Sequence, residues 1–354
     1  MSKKILLTGG AGFIGHQALE NFLKFTDYSV VTIDRLSYAG ELNRINDVIV
    51  AAGEENRSRV EFVYHDLKAP LNDELLKKIA DVNIILHIGA SSHVTRSVED
   101  PSTFIQDNVV GTFNLLEAAR KLDKLELFYY FSTDEVFGPS DEDTKFKEWD
   151  RYNSKNPYSA TKAAGEELTI AYSNTYSIPS LITHCCNVYG NRQNNEKFIP
   201  NKIKKILSDE KIIVHTDENN VPGSRYYIHN EDLAESIVYL TSNHQMVRSE
   251  SIKMYKNEPA KINITGESLI SNLEVVEMIG EELKKEFAYT LQNNDELRPG
   301  HDIKYGLDNT LIKSMGGHFD REFRVGINDV ISWYLDNPSW LNWAKFYSRI
   351  NQYS

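Results

Sequence analysis

Apolar residues in the first half of the chain fall in short runs separated by stretches with helical spacing. Runs at residues 4–8, 29–34, 60–64, 83–87, 125–131 and 180–186 predict strands. Between them, residues 13–25, 42–52, 73–79, 101–122 and 157–176 carry apolar side chains at the spacing of one helix face. Strand–helix–strand alternation of this kind predicts an α/β fold, a Rossmann-type doubly wound parallel sheet. After Cys186 the rhythm breaks. Helices are expected at 196–207, 231–240, 272–287 and 326–337, with only short strands between them. A loop rich in Asn, Gly and Pro spans 217–224, and the polar segment 139–156 is expected to be a surface loop near the site. The second half is expected to be a smaller C-terminal α/β substrate lobe over the carboxyl edge of the sheet, where such sheets bind ligands. Residues 1–188 are expected to form the cofactor domain and 189–354 the substrate lobe, with some later segments returning to the first domain.

Length and charge narrow the function. A chain of 354 residues suffices for one large domain or two lobes sharing a core. A net charge of -12, with no long Lys/Arg block, argues against a nucleic-acid surface, but local basic residues can still hold a small phosphate ligand. No run approaches the ~20 apolar residues of a membrane span, and the stretch after Lys4 is too short for a signal segment. No membrane partner is expected, and the cytoplasm is the default location. The two cysteines, Cys185 and Cys186, are adjacent on an apolar strand, a poor geometry for a disulfide and no metal spacing. They read as buried thiols in a reducing compartment, and no metal site is expected.

Gly9, Gly12 and Gly15, with Phe13 and Ile14, stand between the first strand and the first helix. Glycines there permit a tight turn and close approach of a pyrophosphate, while the helix N-terminus offers free N–H groups. Asp34 ends the next strand about 20 residues on, where an acid accepts both ribose hydroxyls and favours NAD over NADP. Arg35 complicates this, since an arginine there could welcome a 2′-phosphate. Asp66 is placed to hold the adenine amino group, and Ile88, Gly89 and Ala90 to line the cofactor path.

Two further groups carry chemistry. Tyr158 and Lys162 lie four apart on a predicted helix and so share a face. A neighbouring ammonium, with the positive nicotinamide ring, is expected to lower the phenol pKa, so that a phenolate takes a hydroxyl proton as hydride leaves the same carbon. Thr133, Asp134 and Glu135 follow the fifth strand. For both carboxyls to face one ligand the strand must end there, and Phe137-Gly138-Pro139 is consistent with that ending. Two carboxyls on one substrate repel, leaving one acid and one base.

On these residues the chain resembles the NDP-glucose 4,6-dehydratases of the extended short-chain dehydrogenase/reductase superfamily, above all the dTDP-glucose enzymes. The similar motifs run almost end to end: Thr8 to Gly15, Asp34 to Gly40, Ser92-His93-Val94 with Arg96-Ser97, Asn108 with Gly111-Thr112, Ser132 to Gly138, Pro157 to Lys162, Tyr189-Gly190, Glu196 to Pro200, Arg298 to Asp302 and Trp333 to Asn337. The Thr-Asp-Glu triplet is the specific element. The resemblance implies NAD-dependent C4 oxidation with Tyr158 as base and Thr133 on the 4-oxygen. Glu135 would then take the C5 proton, Asp134 would protonate the departing 6-hydroxyl, and hydride would return to C6, giving a 4-keto-6-deoxy sugar nucleotide. It further implies cofactor contacts at Leu36, Ser37, Gly40, Leu67 and Ser92. Substrate contacts are implied at Ser92, Thr133, Asn187, Lys197, Phe198, Ile199, Val214, His215, Arg225, Asn272, Arg298 and His301. A homodimer is implied, with the helices at 101–122 and 157–176 paired in a four-helix contact. The chain departs from the pattern at Ser91 (for Glu), Thr95 (Asp), Asp107 (Thr), Val188 (Asn), Asn191 (Pro), Leu297 (Asp) and Tyr226-Tyr227 (Asp-Trp). These leave the catalytic set intact and leave the base open between dTDP and UDP. A nucleotide-sugar 4-epimerase or decarboxylase, which needs no acid at 134, is the other enzyme reading.

Overall fold

The structure, a computed structural model, describes residues 2–141, 144–293 and 304–341. Its strands are β1 (Lys4–Thr8), β2 (Ser29–Asp34), β3 (Val60–Tyr64), β4 (Ile84–His87), β5 (Leu127–Phe131), β6 (Ser180–Cys185), β7 (Asn187–Tyr189), β8 (Ile212–Thr216), β9 (Ser224–His229), β10 (Ala260–Ile264), β11 (Leu269–Ser271) and β12 (Tyr289–Asn293). Seven form one sheet in the order β10-β6-β5-β4-β1-β2-β3, and every pairing in it is parallel. Strand order therefore reverses between β1 and β4, and that switch point opens a crevice at the carboxyl ends of the strands. The short strands make two small sheets, β11-β9-β7 and β12-β8. β10 crosses back to the large sheet, with Ala260 opposite Leu181.

The apolar runs are buried on both faces because consecutive strand residues point to opposite sides. Ile5, Leu7, Ile84, Leu86 and Tyr129 pack on one face with the helix Phe13–Phe25. Leu6, Ile33, Ile85, Phe128 and Tyr130 pack on the other with the helix Gly111–Ala119. A separate core of Ile199, Ile203, Val214, Val275, Ile279 and Val330 holds the later helices together.

Three expectations change. The helix expected over 101–122 is broken: Pro101–Phe104 runs into a π-turn at Ile105–Val110 before Gly111–Ala119 begins. The Gly111 N–H bonds the Gln106 carbonyl five residues back, so the extra residue rotates Asp107 and Asn108 inward, where both are buried. The segment 139–156 is not wholly a surface loop. Phe146 stacks on Phe137, and Glu148 is buried, bonding the Tyr255 hydroxyl and the Asn263 N–H. An unexpected helix, His244–Tyr255, buries only His244, Val247 and Ser251, too few positions for its face to stand out in sequence. No helix among the described residues is long and apolar enough to cross a membrane.

The glycine turn after β1 has no room for side chains. A Cβ on Gly15 would lie 2.1 Å from the Gly9 carbonyl oxygen. Gly15→Ala is expected to lower stability by about 1–3 kcal/mol in chemical unfolding; an unchanged midpoint and slope would contradict this packing.

Candidate active site

The loops after β1 and β4 touch at the switch point. Gly9 has φ +75°, and a Cβ on it would lie 2.7 Å from the Gly89 Cα. The N-terminus of the helix Phe13–Phe25 faces the crevice, and its Gly12 cap supplies no side-chain bond to the first turn. Those amides are therefore left for an anion. Asp34 is fixed by two backbone donors: the Ala11 N–H at 3.1 Å and the Leu36 N–H at 2.8 Å. Burial raises its pKa, and these two bonds oppose the rise. A cradle without Cβ atoms beside an acid at the end of β2 fits NAD.

Arg44, fully buried, ties this end together. Its guanidinium donates to the carbonyls of Ala11 (3.0 Å), Ala39 (2.6 Å) and Arg192 (2.7 Å) and to Asn194 Oδ1 (2.6 Å). Burial pushes it down to about 10.

The crevice is about 410 Å³, the size of a small-molecule site, and joins the cofactor and chemical ends in one space. Its lining holds Gly9, Gly12, Phe13, Ile14, Gly15, Asp34, Arg35, Ser37, Gly40, Asp66, Leu67, Ile88, Gly89, Ala90 and Ser92 at one end. Thr133, Glu135, Tyr158, Lys162, Asn187, Lys197, Phe198 and Ile199 line the other.

β5 ends at Phe131, and a 3₁₀ turn at Asp134–Phe137 follows, capped by Thr133. Successive residues of such a turn point about 120° apart. Glu135 consequently faces the crevice, where its Oε2 accepts from Asn156 at 3.0 Å, while Asp134 turns behind Thr133, whose hydroxyl donates to Asp134 Oδ1 at 3.2 Å. Burial, then the charge of Glu135, pushes Asp134 up to about 7, against the pull of Arg225. The pair thus separates into an acid and a base, although only Glu135 lines the crevice.

Tyr158 and Lys162 sit on the helix Pro157–Tyr176, which starts at an Asn156/Ser159 capping box with Pro157 at its first position. Burial, then Glu135, pushes the Tyr158 phenol above its ordinary value, opposed by a hydrogen bond with Thr133. The expected lowering rests in part on the positive nicotinamide ring; in the protein alone burial sets the direction, and the Lys162 ammonium donates to the Phe131 carbonyl at 2.7 Å. Burial pushes Lys162 down to about 7, and Glu166, one turn on, opposes that. Glu166 itself is held at about 2: burial would raise it, but His184, Lys261 and Ser132 outweigh burial. Glu166 accepts from the hydroxyls of Ser132 and Tyr152 and pairs with His184 at 3.0 Å.

Several expected contacts lie elsewhere. Leu36 works through its backbone and packs toward the core. Val214 points into the apolar core of the later helices, and its strand neighbour His215 is not among the lining residues. Arg225 stacks over Tyr305 at 5.0 Å, and Asn272 accepts from the Tyr227 hydroxyl at 3.3 Å; neither lines the crevice. Arg298 and His301 lie outside the described residues. Other lining residues were not among the expected contacts. Cys186, expected only as a buried thiol, is one. Tyr38 is another: Arg96 stacks on it at 3.6 Å and pairs with Glu196 at 2.8 Å, linking the loop after β2 to the residue before Lys197.

The family model for GDP-mannose 4,6 dehydratase matches residues 6–328. A dTDP-glucose 4,6-dehydratase of Neisseria gonorrhoeae is 35% identical, the match covering 95% of this chain and 97% of that one. One of Escherichia coli is 32% identical, with 95% of each chain covered. The crystal structure of a dTDP-glucose 4,6-dehydratase from Streptomyces venezuelae, solved with NAD bound, superposes with a TM-score of 0.81 at 28% identity, covering 95% of this chain and 98% of that one.

The Asp134 shift has a stability consequence. Its folded pKa lies above the ordinary 3.8, so holding it ionised costs the folded state nothing below about pH 4, increasingly more up to pH 7, and the full amount above. Asp134→Asn is expected to gain stability over the parent by roughly 1–4 kcal/mol at pH 8, with the gain shrinking toward pH 5. A gain independent of pH in denaturant titrations would contradict the shift.

Proposed function

We propose a function from one premise: the chain belongs to the nucleotide-sugar 4,6-dehydratase family of the short-chain dehydrogenase/reductases. It is an NAD-dependent hydro-lyase that converts an NDP-glucose, which we take to be dTDP-glucose, to the 4-keto-6-deoxy sugar nucleotide and water. The observation that carries the reading is the divided carboxyl pair: Glu135 shares one space with Tyr158 and the glycine cradle, and Asp134, raised to about 7, stands next to it behind Thr133. An epimerase has no need of such a pair.

Each residue then has a task. With NAD⁺ bound, the positive nicotinamide ring would offset the burial that raises the Tyr158 phenol and favour the phenolate, which takes the 4-hydroxyl proton, and Thr133, hydrogen-bonded to Tyr158, holds the 4-oxygen. Lys162, tied to the end of β5, keeps positive charge under the reacting centre. NAD held by the glycine turn, Asp34 and the residues along the loops after β2 and β4 supplies the hydride acceptor for C4 and the donor to C6. Once C4 is a ketone the C5–H bond is acidic, and Glu135 removes that proton, then gives C5 a proton exchanged with solvent as hydride reaches C6. Asp134, still protonated near neutral pH, gives its proton to the departing 6-hydroxyl. Lys197, which lines the crevice, supplies a cation for the diphosphate, with Arg298, outside the described residues, proposed as a second. Residues 1–188 form the cofactor domain, which also carries the catalytic groups, and 189–354 the sugar-nucleotide lobe, with segments such as β10 returning to the first domain. The protein acts in the cytoplasm, a placement supported by the free, buried thiols of Cys185 and Cys186.

A homodimer is supported by exposed apolar side chains on the two helical stretches named above. Ile105, Phe113 and Tyr176 are 48%, 43% and 47% exposed. Phe113→Asp is expected to convert the dimer to monomer in light scattering; a parent that is monomeric at micromolar concentration would remove this interface.

Incubation with dTDP-, UDP-, GDP- and CDP-glucose, followed by weighing the products, is expected to show loss of one water from the dTDP sugar without net NADH release. No keto sugar from any of them would overturn the function. Glu135→Gln is expected to lower turnover at least about 100-fold while leaving C4 oxidation, seen as NADH absorbance retained on the protein. Full turnover in that variant would remove Glu135 from its role.

A further inference from the structure

Arg35 stands next to Asp34, where an exposed guanidinium would attract a 2′-phosphate and blur the choice between NAD and NADP. In the structure that guanidinium is already taken. The π-turn at Ile105–Val110 brings Asp107 to it as a two-pronged fork, Nη1 to Oδ1 at 2.6 Å and Nη2 to Oδ2 at 2.5 Å. The fork is anchored from behind. The Ser91 hydroxyl donates to Asp107 Oδ2 at 2.5 Å, and the neighbouring Asn108 clamps Ser91 through both its N–H and its carbonyl. Asp66 approaches the same guanidinium at 3.4 Å, and Lys68 lies 3.4 Å from Asp66 and 4.0 Å from Asp107. The Asp107 side chain is 5% exposed, so its charge is little screened.

We infer that Asp107 is a specificity residue for the dinucleotide: it captures Arg35 and so makes the adenosine end of the crevice selective for a ribose carrying a free 2′-hydroxyl. The cations around this end are Arg35, Lys68 and the buried Arg44 behind Asp34, and the carboxylates are Asp34, Asp66 and Asp107, so the local charges balance while Asp107 is ionised. A 2′-phosphate brings roughly two more negative charges. To use Arg35 it must break the fork and leave the Asp107 carboxylate buried without its partner. A 2′-hydroxyl asks for neither. With threonine at 107 one positive charge is in excess and the guanidinium is released toward the crevice. The inference rests on the NAD reading of the glycine cradle and Asp34 and not on the sugar chemistry.

The test is competition for the cofactor site, read without turnover. The purified protein is dialysed against equal concentrations of NAD⁺ and NADP⁺, and the retained dinucleotides are extracted and weighed. The parent is expected to retain NAD⁺ over NADP⁺ by about 100-fold or more, and Asp107→Thr to narrow the ratio at least tenfold, about 1.4 kcal/mol. Asp107→Asn keeps the shape and loses the charge; it is expected to move the ratio in the same direction and serves if the threonine variant does not fold. In an Arg35→Ala background the same Asp107 changes are expected to shift the ratio less than about twofold, because their effect passes through the guanidinium. Parental selectivity in a folded Asp107 variant, or an equal shift without Arg35, would overturn the inference. A parent that retains neither dinucleotide would instead overturn the cofactor reading beneath it.

Discussion

Around the end of β5 the fold withdraws ionisable side chains from water, and their mutual charges then decide which of them hold protons. Asp134, Tyr158, Lys162 and Glu166 all lie there with little or no exposure. In so poor a dielectric a neighbour's charge counts for several times its worth at the surface. Burial raises the acids and lowers the lysine; Glu135 adds to the rise of Asp134, and Glu166 limits the fall of Lys162. The site therefore holds an acid raised toward neutrality, a second carboxyl facing the crevice, and a lysine lowered toward neutrality and backed by a buried anion. Acid–base chemistry at neutral pH needs that division, and a solvent-exposed cluster of the same residues would lack it.

The parallel sheet makes such burial possible. Helices cover both faces, so only the carboxyl edge is open, and the reversal of strand order between β1 and β4 sets where it opens. Glycine at positions 9, 15 and 89 lets the loops approach closely enough to cradle a pyrophosphate. Buried side chains then hold the loops in place: Arg44 binds three of them through carbonyl oxygens, and Glu166 grips the end of β5 through Ser132. These polar anchors are satisfied by several partners each, which offsets the cost of removing their charge from water.

Much of this was legible in the chain before any coordinates. β1, β2, β3 and the helices Phe13–Phe25, Leu42–Ala52 and Pro157–Tyr176 fall where the apolar spacing and the Gly, Pro and Asn punctuation put them. The residues of the cofactor turn and of the Thr133–Glu135 and Tyr158–Lys162 groups also converge, apart from Asp134, because motif spacing fixes them to one sheet edge. What stayed hidden depends on partners distant in sequence. A π-turn leaves composition and apolar spacing unchanged, so nothing in residues 105–110 announces that Asp107 turns inward. Arg44, Glu166 and Lys261 look like solvent-facing residues until the strands opposite them are in place. Asp134 was expected in the crevice beside Glu135 and stands behind Thr133, since a 3₁₀ turn and not an extended strand carries the pair. The strands of the two small sheets, three to six residues each, are too short for alternation to show.

The central claim is that one site oxidises C4, eliminates across C5–C6 and returns the same hydride. It is tested most directly with dTDP-glucose carrying deuterium at C4, turned over in ordinary water and examined by NMR and mass. The account predicts a 4-keto product lighter by one water that keeps the deuterium, now on C6, with a solvent proton at C5. Deuterium lost to solvent, or found back at C4 of an undehydrated sugar, would contradict it.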